Sequence, residues 1–129
     1  MKQKENLNMK LKRVGFFREL RHGDNLGMSL KAAICDSASE HEDKIVEYLS
    51  GGVAFCITPG LVSDVLDESK GVIGNLEILT DGTWAWPSDL SYYVKVYHIE
   101  LDNDFIEHIK KNDWTVQNKK NIDLLKLEL

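Results

Sequence analysis

The chain has 129 residues, of which 43% are hydrophobic and 29% charged, and its formal net charge is -5. This size and composition are typical of one globular domain, and they exclude disordered, collagen-like and coiled-coil proteins. Its two cysteines exclude a disulfide-dense secreted scaffold, and no apolar run is long enough to span a bilayer. Lysines near the start are not followed by an apolar stretch, which argues against a signal peptide, so we expect a cytoplasmic protein.

Charge is unevenly distributed along the sequence. Residues 1–31 contain eight Lys or Arg and three Asp or Glu, a formal charge of +5, whereas residues 32–129 contain eight and eighteen, a formal charge of -10. We therefore expect the body of the protein to repel nucleic acid and to attract a basic protein partner. The alternative interpretation is a solvated acidic surface without a partner.

In chain order, the first half of the sequence predicts a frayed polar arm at 1–10, a strand at 11–17 and a turn-rich loop at 18–27. Two helices follow, at 29–37 and 40–50. Ser39 and Glu42 have the spacing of a capping box at the start of the second helix, and Gly51 and Gly52 would end it.

The second half predicts a buried strand at 53–57, one or two helical turns at 61–66 and a hairpin at 76–86. Two helices at 89–97 and 103–111 and a C-terminal segment at 119–129 follow. Pro59 would end the strand, and Ser88 and Asp102 would cap the two helices. The last segment alternates like an edge strand but is equally compatible with a mobile tail.

Asp81 and Gly82 give the clearest local signal, because this pair suits a two-residue type I′ turn. In that register residue 80 faces 83 and residue 77 faces 86. Trp84 and Trp86 would share one face with Leu79, while Ile78 and Ala85 would lie on the other. Since both faces are apolar, we predict a central hairpin in a single α+β domain over residues 11–118, with a small, largely antiparallel sheet covered by about four helices.

Common catalytic signatures are missing from the sequence. There is no phosphate-binding glycine loop and no Gly-x-Gly-x-x-Gly, and the four histidines do not have zinc-ligand spacing. We therefore expect no cofactor and no metal. Cys35 and Cys56 are interpreted as inert buried thiols.

The densest polar group lies in one loop and consists of Arg18, Glu19, Arg21, His22, Asp24 and Asn25. His22 beside Asp24 could act as a general base, and Arg21 could hold an anionic substrate, which would suit a small hydrolase or transferase. The alternative, which we favour, is that these side chains bind the backbone of the loop and cap the following turn.

Two further groups are candidates for partner binding. Trp84 and Trp86 are expected to be mainly core residues, although tryptophan is also favoured as an interface anchor. Glu40, Asp43 and Glu47 lie in an acidic stretch at the start of a predicted helix, where negative charge is favourable. Glu47 is one turn too far along for that explanation, so we assign these three acids to a binding surface.

Two motifs resemble those of a family of small bacterial proteins. They are FRELRHGD at residues 17–24 and LTDGTWAWPSDLSYYV at residues 79–94, and the similarity covers most of residues 14–116. The family usually has proline where this chain has Asp102, which affects only a helix cap. The family has no assigned activity or cofactor, and its short members are similar to proteins kept near polymorphic toxin genes, which implies immunity.

The residues and the resemblance together give one functional hypothesis and one alternative. We expect a non-enzymatic protein-binding domain that neutralises a cognate toxin through an acidic surface, with no role for nucleic acid or membrane. The alternative is a hydrolase or transferase that uses the loop of His22 and Asp24. The sequence does not predict the oligomeric state.

Overall fold

The computed structural model describes residues 8–129. Three α-helices lie in these residues: α1 (Glu42–Ser50), α2 (Leu90–Tyr97) and α3 (Asn103–Lys111). The six strands are β1 (Met9–Lys10), β2 (Lys12–Arg13), β3 (Val53–Ser63), β4 (Val72–Thr80), β5 (Trp84–Pro87) and β6 (Leu127–Glu128). The predicted α+β class with a small sheet is confirmed.

Four strands form the main sheet in the order β2-β5-β4-β3. The β5–β4 and β4–β3 pairs are antiparallel, whereas β2 runs parallel to β5. Strands β1 and β6 form a separate parallel pair. The β4–β5 hairpin is therefore central, as predicted, and β3 is an edge strand.

The two faces of the sheet bury different apolar clusters. Trp84 and Trp86 pack with the buried faces of α1, α2 and α3, including Tyr48, Tyr93 and Phe105. On the other side a smaller cluster contains Leu11, Phe16, Ile78 and Ala85, against which Leu127 and Leu129 pack. Gly52 allows close packing at the end of α1, because a Cβ there would lie 2.7 Å from Cζ2 of Trp86.

The predicted register of the hairpin is wrong by two residues. Thr80 pairs with Ala85 and Leu79 with Trp86, so the connection has four residues instead of two. Only Gly82 of the turn pair has a positive φ, at 98°. The Asp81 carboxylate accepts from the amides of Thr83 and Trp84 at 2.9 and 2.8 Å, which closes the longer turn. A shift of two keeps every side chain on its predicted face.

The predicted helix at 29–37 is only a 3-10 turn, Lys31–Ala33. After it the chain is extended, since the Cys35 amide donates to the Tyr97 carbonyl and the Ala33 carbonyl accepts from the Glu100 amide. These tertiary bonds use the groups that a helix would need. The strand predicted at 11–17 is also short, because Gly15 has a φ of 82° just after β2.

Strand β3 continues past Pro59 to Ser63, which overturns both the predicted stop and the helical turns at 61–66. Its pairing with β4 is irregular between Ile57 and Leu61, and an edge strand tolerates a bulged proline. The ends of α2 and α3 agree with prediction to within a residue, as does the end of α1 before Gly51.

Two of the three predicted helix caps are wrong. The residue before α1 is His41 and makes no side-chain capping bond, so the capping box of Ser39 does not form. The Ser88 hydroxyl instead bridges two backbone groups of β4. Asp102 caps α3 as predicted, accepting from the Asp104 amide at 2.8 Å.

The two ends of the described chain pair with each other. Residues 1–7 of the predicted arm lie outside the described residues, but residues 9–10 pair with 127–128 as β1 and β6. The C-terminal segment therefore provides a strand next to the smaller cluster. Within residues 8–129 no helix has the length and apolarity needed to cross a membrane.

Candidate functional site

Glu19 fixes the 3-10 turn that follows the predicted loop. Its carboxylate accepts from the Leu30 amide at 2.7 Å, the Lys31 amide at 3.0 Å and the Ser29 hydroxyl at 2.9 Å. Burial alone would raise the pKa of the Glu19 carboxyl, but these hydrogen bonds outweigh it and hold the pKa at about 2. Glu19 is therefore an ionised carboxylate with a structural role.

His22 is paired with Asp89 and not with Asp24, so the predicted pairing is wrong. His22 Nε2 lies 3.0 Å from Asp89 Oδ2, and the two side chains are 11% and 1% exposed. The four polar atoms of the pair are buried, and none has a hydrogen-bond partner among residues 8–129. The two side chains are thus in short contact without hydrogen-bond alignment. Asp89 precedes α2, where the helix dipole favours its charge.

Asp24 and Arg21 are used elsewhere in the fold. Arg13 holds Asp24 through two contacts, Nη2 to Oδ1 at 2.8 Å and Nε to Oδ2 at 3.3 Å. Arg21 Nη2 donates to the Leu61 carbonyl at 3.4 Å. A general base must reach its substrate, and the buried ring nitrogens of His22 do not. The loop therefore supports the structural interpretation of its charged residues.

Asp64 organises a second buried polar group between β3 and α2. Its side chain accepts from the hydroxyls of Tyr92 and Tyr97 at 2.7 and 2.8 Å and from the amides of Leu66 and Asp67. Burial would raise the pKa of the Asp64 carboxyl, but these bonds lower it. Burial and the bond to Asp64 raise the pKa of Tyr92 to about 12. Each of these hydrogen bonds to Asp64 links segments of the fold, so this polar group has a structural role.

Two more histidines bind carboxylates. His108 Nε2 lies 2.8 Å from Asp81 Oδ2, which also accepts from the Tyr48 hydroxyl. His98 Nδ1 lies 2.7 Å from Glu42 Oε2 and joins the end of α2 to the start of α1. Burial and the bond to Asp81 raise the pKa of Tyr48.

No group of three or more His, Cys, Asp or Glu suited to a metal ion occurs in the part of the chain that the structure describes.

Trp84 and Trp86 are 5% and 0% exposed, which contradicts their assignment as partner anchors. Trp86 Nε1 donates to the Leu49 carbonyl at 2.9 Å, so the ring is a satisfied core side chain. The buried-thiol interpretation also fails, because Cys56 is exposed and Cys35 partly exposed.

The acidic face of α1, which we define as Glu40, Asp43 and Glu47, is exposed. Glu40 has a side chain that is 87% exposed, with His41 at 3.7 Å. In residues 8–129 no Lys or Arg forms an ion pair with these three acids. The neighbouring Lys44 has its ammonium 5.4 Å from the Trp114 ring centroid. The sequence therefore placed all three acids correctly at the surface.

A groove of about 560 Å³ lies beside the acidic face. We call it the Trp114 groove; its lining includes Cys35, residues 37–42, Ile45, Val94, residues 98–101, Ile106 and Trp114. Its apolar lining contrasts with two exposed carboxylates, Glu40 and Glu100. Lys110 also lines it and pairs with Glu107 at 3.4 Å.

Comparison with protein-family models, curated proteins and solved structures found no match to this chain. The resemblance to a bacterial family therefore stays a prediction.

Sequence reasoning missed the His22–Asp89 pair and the Trp114 groove for the same reason. Their members are separated by more than fifty residues, and only the tertiary fold brings them together. A sequence signal existed for the pair, because His22 and Asp89 each lie in one of the two motifs.

Proposed function

We propose that this protein is a non-enzymatic, cytoplasmic protein-binding domain that neutralises a cognate bacterial toxin. The acidic face of α1 is the surface that binds a basic region of the toxin. The observation that carries this proposal is the exposure of Glu40, Asp43 and Glu47 without a Lys or Arg ion-pair partner in residues 8–129.

Other observations support a binding role over chemistry. The acids and histidine of the predicted catalytic loop are occupied by contacts within the protein, through Glu19, the His22–Asp89 pair and the Arg13–Asp24 pair. An inhibitor that covers a toxin needs only affinity and charge complementarity, and exposed acids provide the second.

The test requires a cognate toxin domain, which is sought first in the gene upstream of that of this protein. Glu40→Lys with Glu47→Lys should slow association about tenfold at low salt and should flatten its salt dependence, because exposed charges act chiefly on encounter. The matched control is Glu68→Lys with Glu128→Lys, which changes the same residue type and the same net charge at exposed positions away from α1.

Association rates measured by stopped-flow at 50 and 500 mM salt separate the outcomes. A slower rate in the α1 variant but not in the control supports the proposal. Equal rates in both variants, or no protection from the toxin by the wild-type protein, would refute it. Circular dichroism and melting temperature verify that both variants fold.

A further inference from the structure

The Trp114 groove has an apolar base formed by buried side chains of the core. Ile45, Val94 and Ile99 lie at its base and are 6%, 2% and 5% exposed. Trp114, partly buried, packs against the main core and has its ring centroid 4.7 Å from that of His41. The base is thus built of side chains that the core already holds in place.

The charges around the groove are predominantly negative. Glu40 and Glu100 are exposed and line it, and Asp43 and Glu47 continue the same charge along α1. The Glu42 carboxylate is engaged by His98 Nδ1 at 2.7 Å and is mostly buried. Two bases lie among these acids: Lys110 lines the groove with its ammonium directed to Glu107, and the Lys44 ammonium lies 5.4 Å from the Trp114 ring centroid. An occupant with a cationic surface is therefore favoured over an anionic one.

We propose that the Trp114 groove receives an apolar side chain from a cationic, amphipathic segment of the protein partner. Interfaces concentrate their binding free energy in a few apolar anchors that fill pockets, surrounded by polar contacts that exclude water. The groove supplies the pocket, and Glu40 and Glu100 supply the surrounding contacts to Lys or Arg side chains. This inference rests on the proposed function and names the chemistry of its partner.

The direct test measures binding of a synthetic helical peptide of leucine and lysine with one apolar face, labelled with fluorescein for anisotropy. Ala38 is exposed and lines the groove, so Ala38→Trp fills it without removing a core contact. The matched control is Ala32→Trp, which adds the same side chain at an exposed position outside the groove. We expect Ala38→Trp to weaken binding at least tenfold and Ala32→Trp to change it less than twofold.

The two free cysteines provide an internal footprint. Cys35 lines the groove, whereas Cys56 lies exposed on β3. The peptide should slow alkylation of Cys35 by N-ethylmaleimide, measured by mass spectrometry, and leave the alkylation rate of Cys56 unchanged. A peptide in which every lysine is replaced by glutamate should do neither.

Three results would overturn the inference: equal binding of the leucine–glutamate peptide, insensitivity to Ala38→Trp, or unchanged alkylation of Cys35. The proposed function fails separately. A toxin that binds through Glu40 and Glu47 but tolerates Ala38→Trp removes the groove and leaves the neutralising role. Selective peptide binding in the groove without protection from the toxin removes the neutralising role and keeps the groove.

Discussion

Replacing Glu19 with glutamine should destabilise the protein strongly at neutral pH and much less in acid. The wild-type carboxylate accepts three hydrogen bonds, from Ser29, Leu30 and Lys31. Its pKa is about 2 in the folded protein against an ordinary value of 4.5. At 1.4 kcal/mol for each tenfold change in an equilibrium constant, that difference sets an upper bound of about 3 kcal/mol on the folding free energy, and solvent screening at this partly exposed carboxylate reduces the expected value to roughly 1–2 kcal/mol.

The pH dependence follows from the direction of this pKa change. Because the folded pKa of Glu19 is below the unfolded one, the unfolded chain binds more protons between about pH 4.5 and 2. The stabilisation is complete above pH 4.5 and is lost as the pH falls towards 2. Glutamine cannot ionise, and its amide nitrogen would face hydrogen-bond donors, so the variant lacks this contribution at every pH.

Urea unfolding at pH 7, 4 and 2.5, followed by tryptophan fluorescence, measures the effect. The free energy of unfolding of Glu19→Gln should lie roughly 1–2 kcal/mol below wild type at pH 7, and this difference should shrink to about a quarter of that size at pH 2.5. Glu100→Gln is the control, because Glu100 is exposed and its side chain makes no hydrogen bond within residues 8–129. A difference that stays constant from pH 7 to 2.5 would show that the Glu19 charge is not what stabilises the turn.

Two further predictions concern the motif residues. His22→Ala should lower the free energy of unfolding by about 1–3 kcal/mol, because it removes the polar neighbour of the buried Asp89 carboxylate, and adding Asp89→Asn should restore part of the loss. An unchanged free energy of unfolding in chemical denaturation would contradict a stabilising role for the pair. Gly82→Val should cost at least about 1 kcal/mol, since Gly82 has a φ of 98°. The Gly82→Val protein would then melt below wild type in calorimetry, and an unchanged melting temperature would refute the strained position.

Short-range patterns predicted the fold best. The apolar spacing of α2 and α3 and the turn signal at Asp81 depend on neighbours within a few residues, and they were correctly placed. The hairpin register failed because the Asp81 side chain, and not positive φ at two positions, closes the turn. The helix expected at 29–37 failed because Glu19 and the chain at 97–100 compete for its backbone groups.

The candidate site likewise has one part that the sequence predicted and one part that it did not. Exposure of Asp43 and Glu47 was predictable, because acids four residues apart share one face of a helix that buries the opposite face, whereas Glu40 lies in the turn before α1. The partner of His22 was not predictable from spacing. The nearest acid in sequence, Asp24, is held by Arg13, and the acid that meets the imidazole is 67 residues away.

Several residues of the two motifs have structural roles in this fold. Glu19 caps a turn, His22 and Asp89 form a buried pair that joins the two motifs, and Asp81 closes the central hairpin. Each contact lies within the fold, so the fold alone accounts for the presence of these residues. The acidic face of α1 lies at residues 40–47, outside both motifs, and within residues 8–129 its three acids form no ion pair with Lys or Arg. Proteins that share the motifs would therefore share this architecture while their exposed α1 residues are free to differ with the charge of the partner.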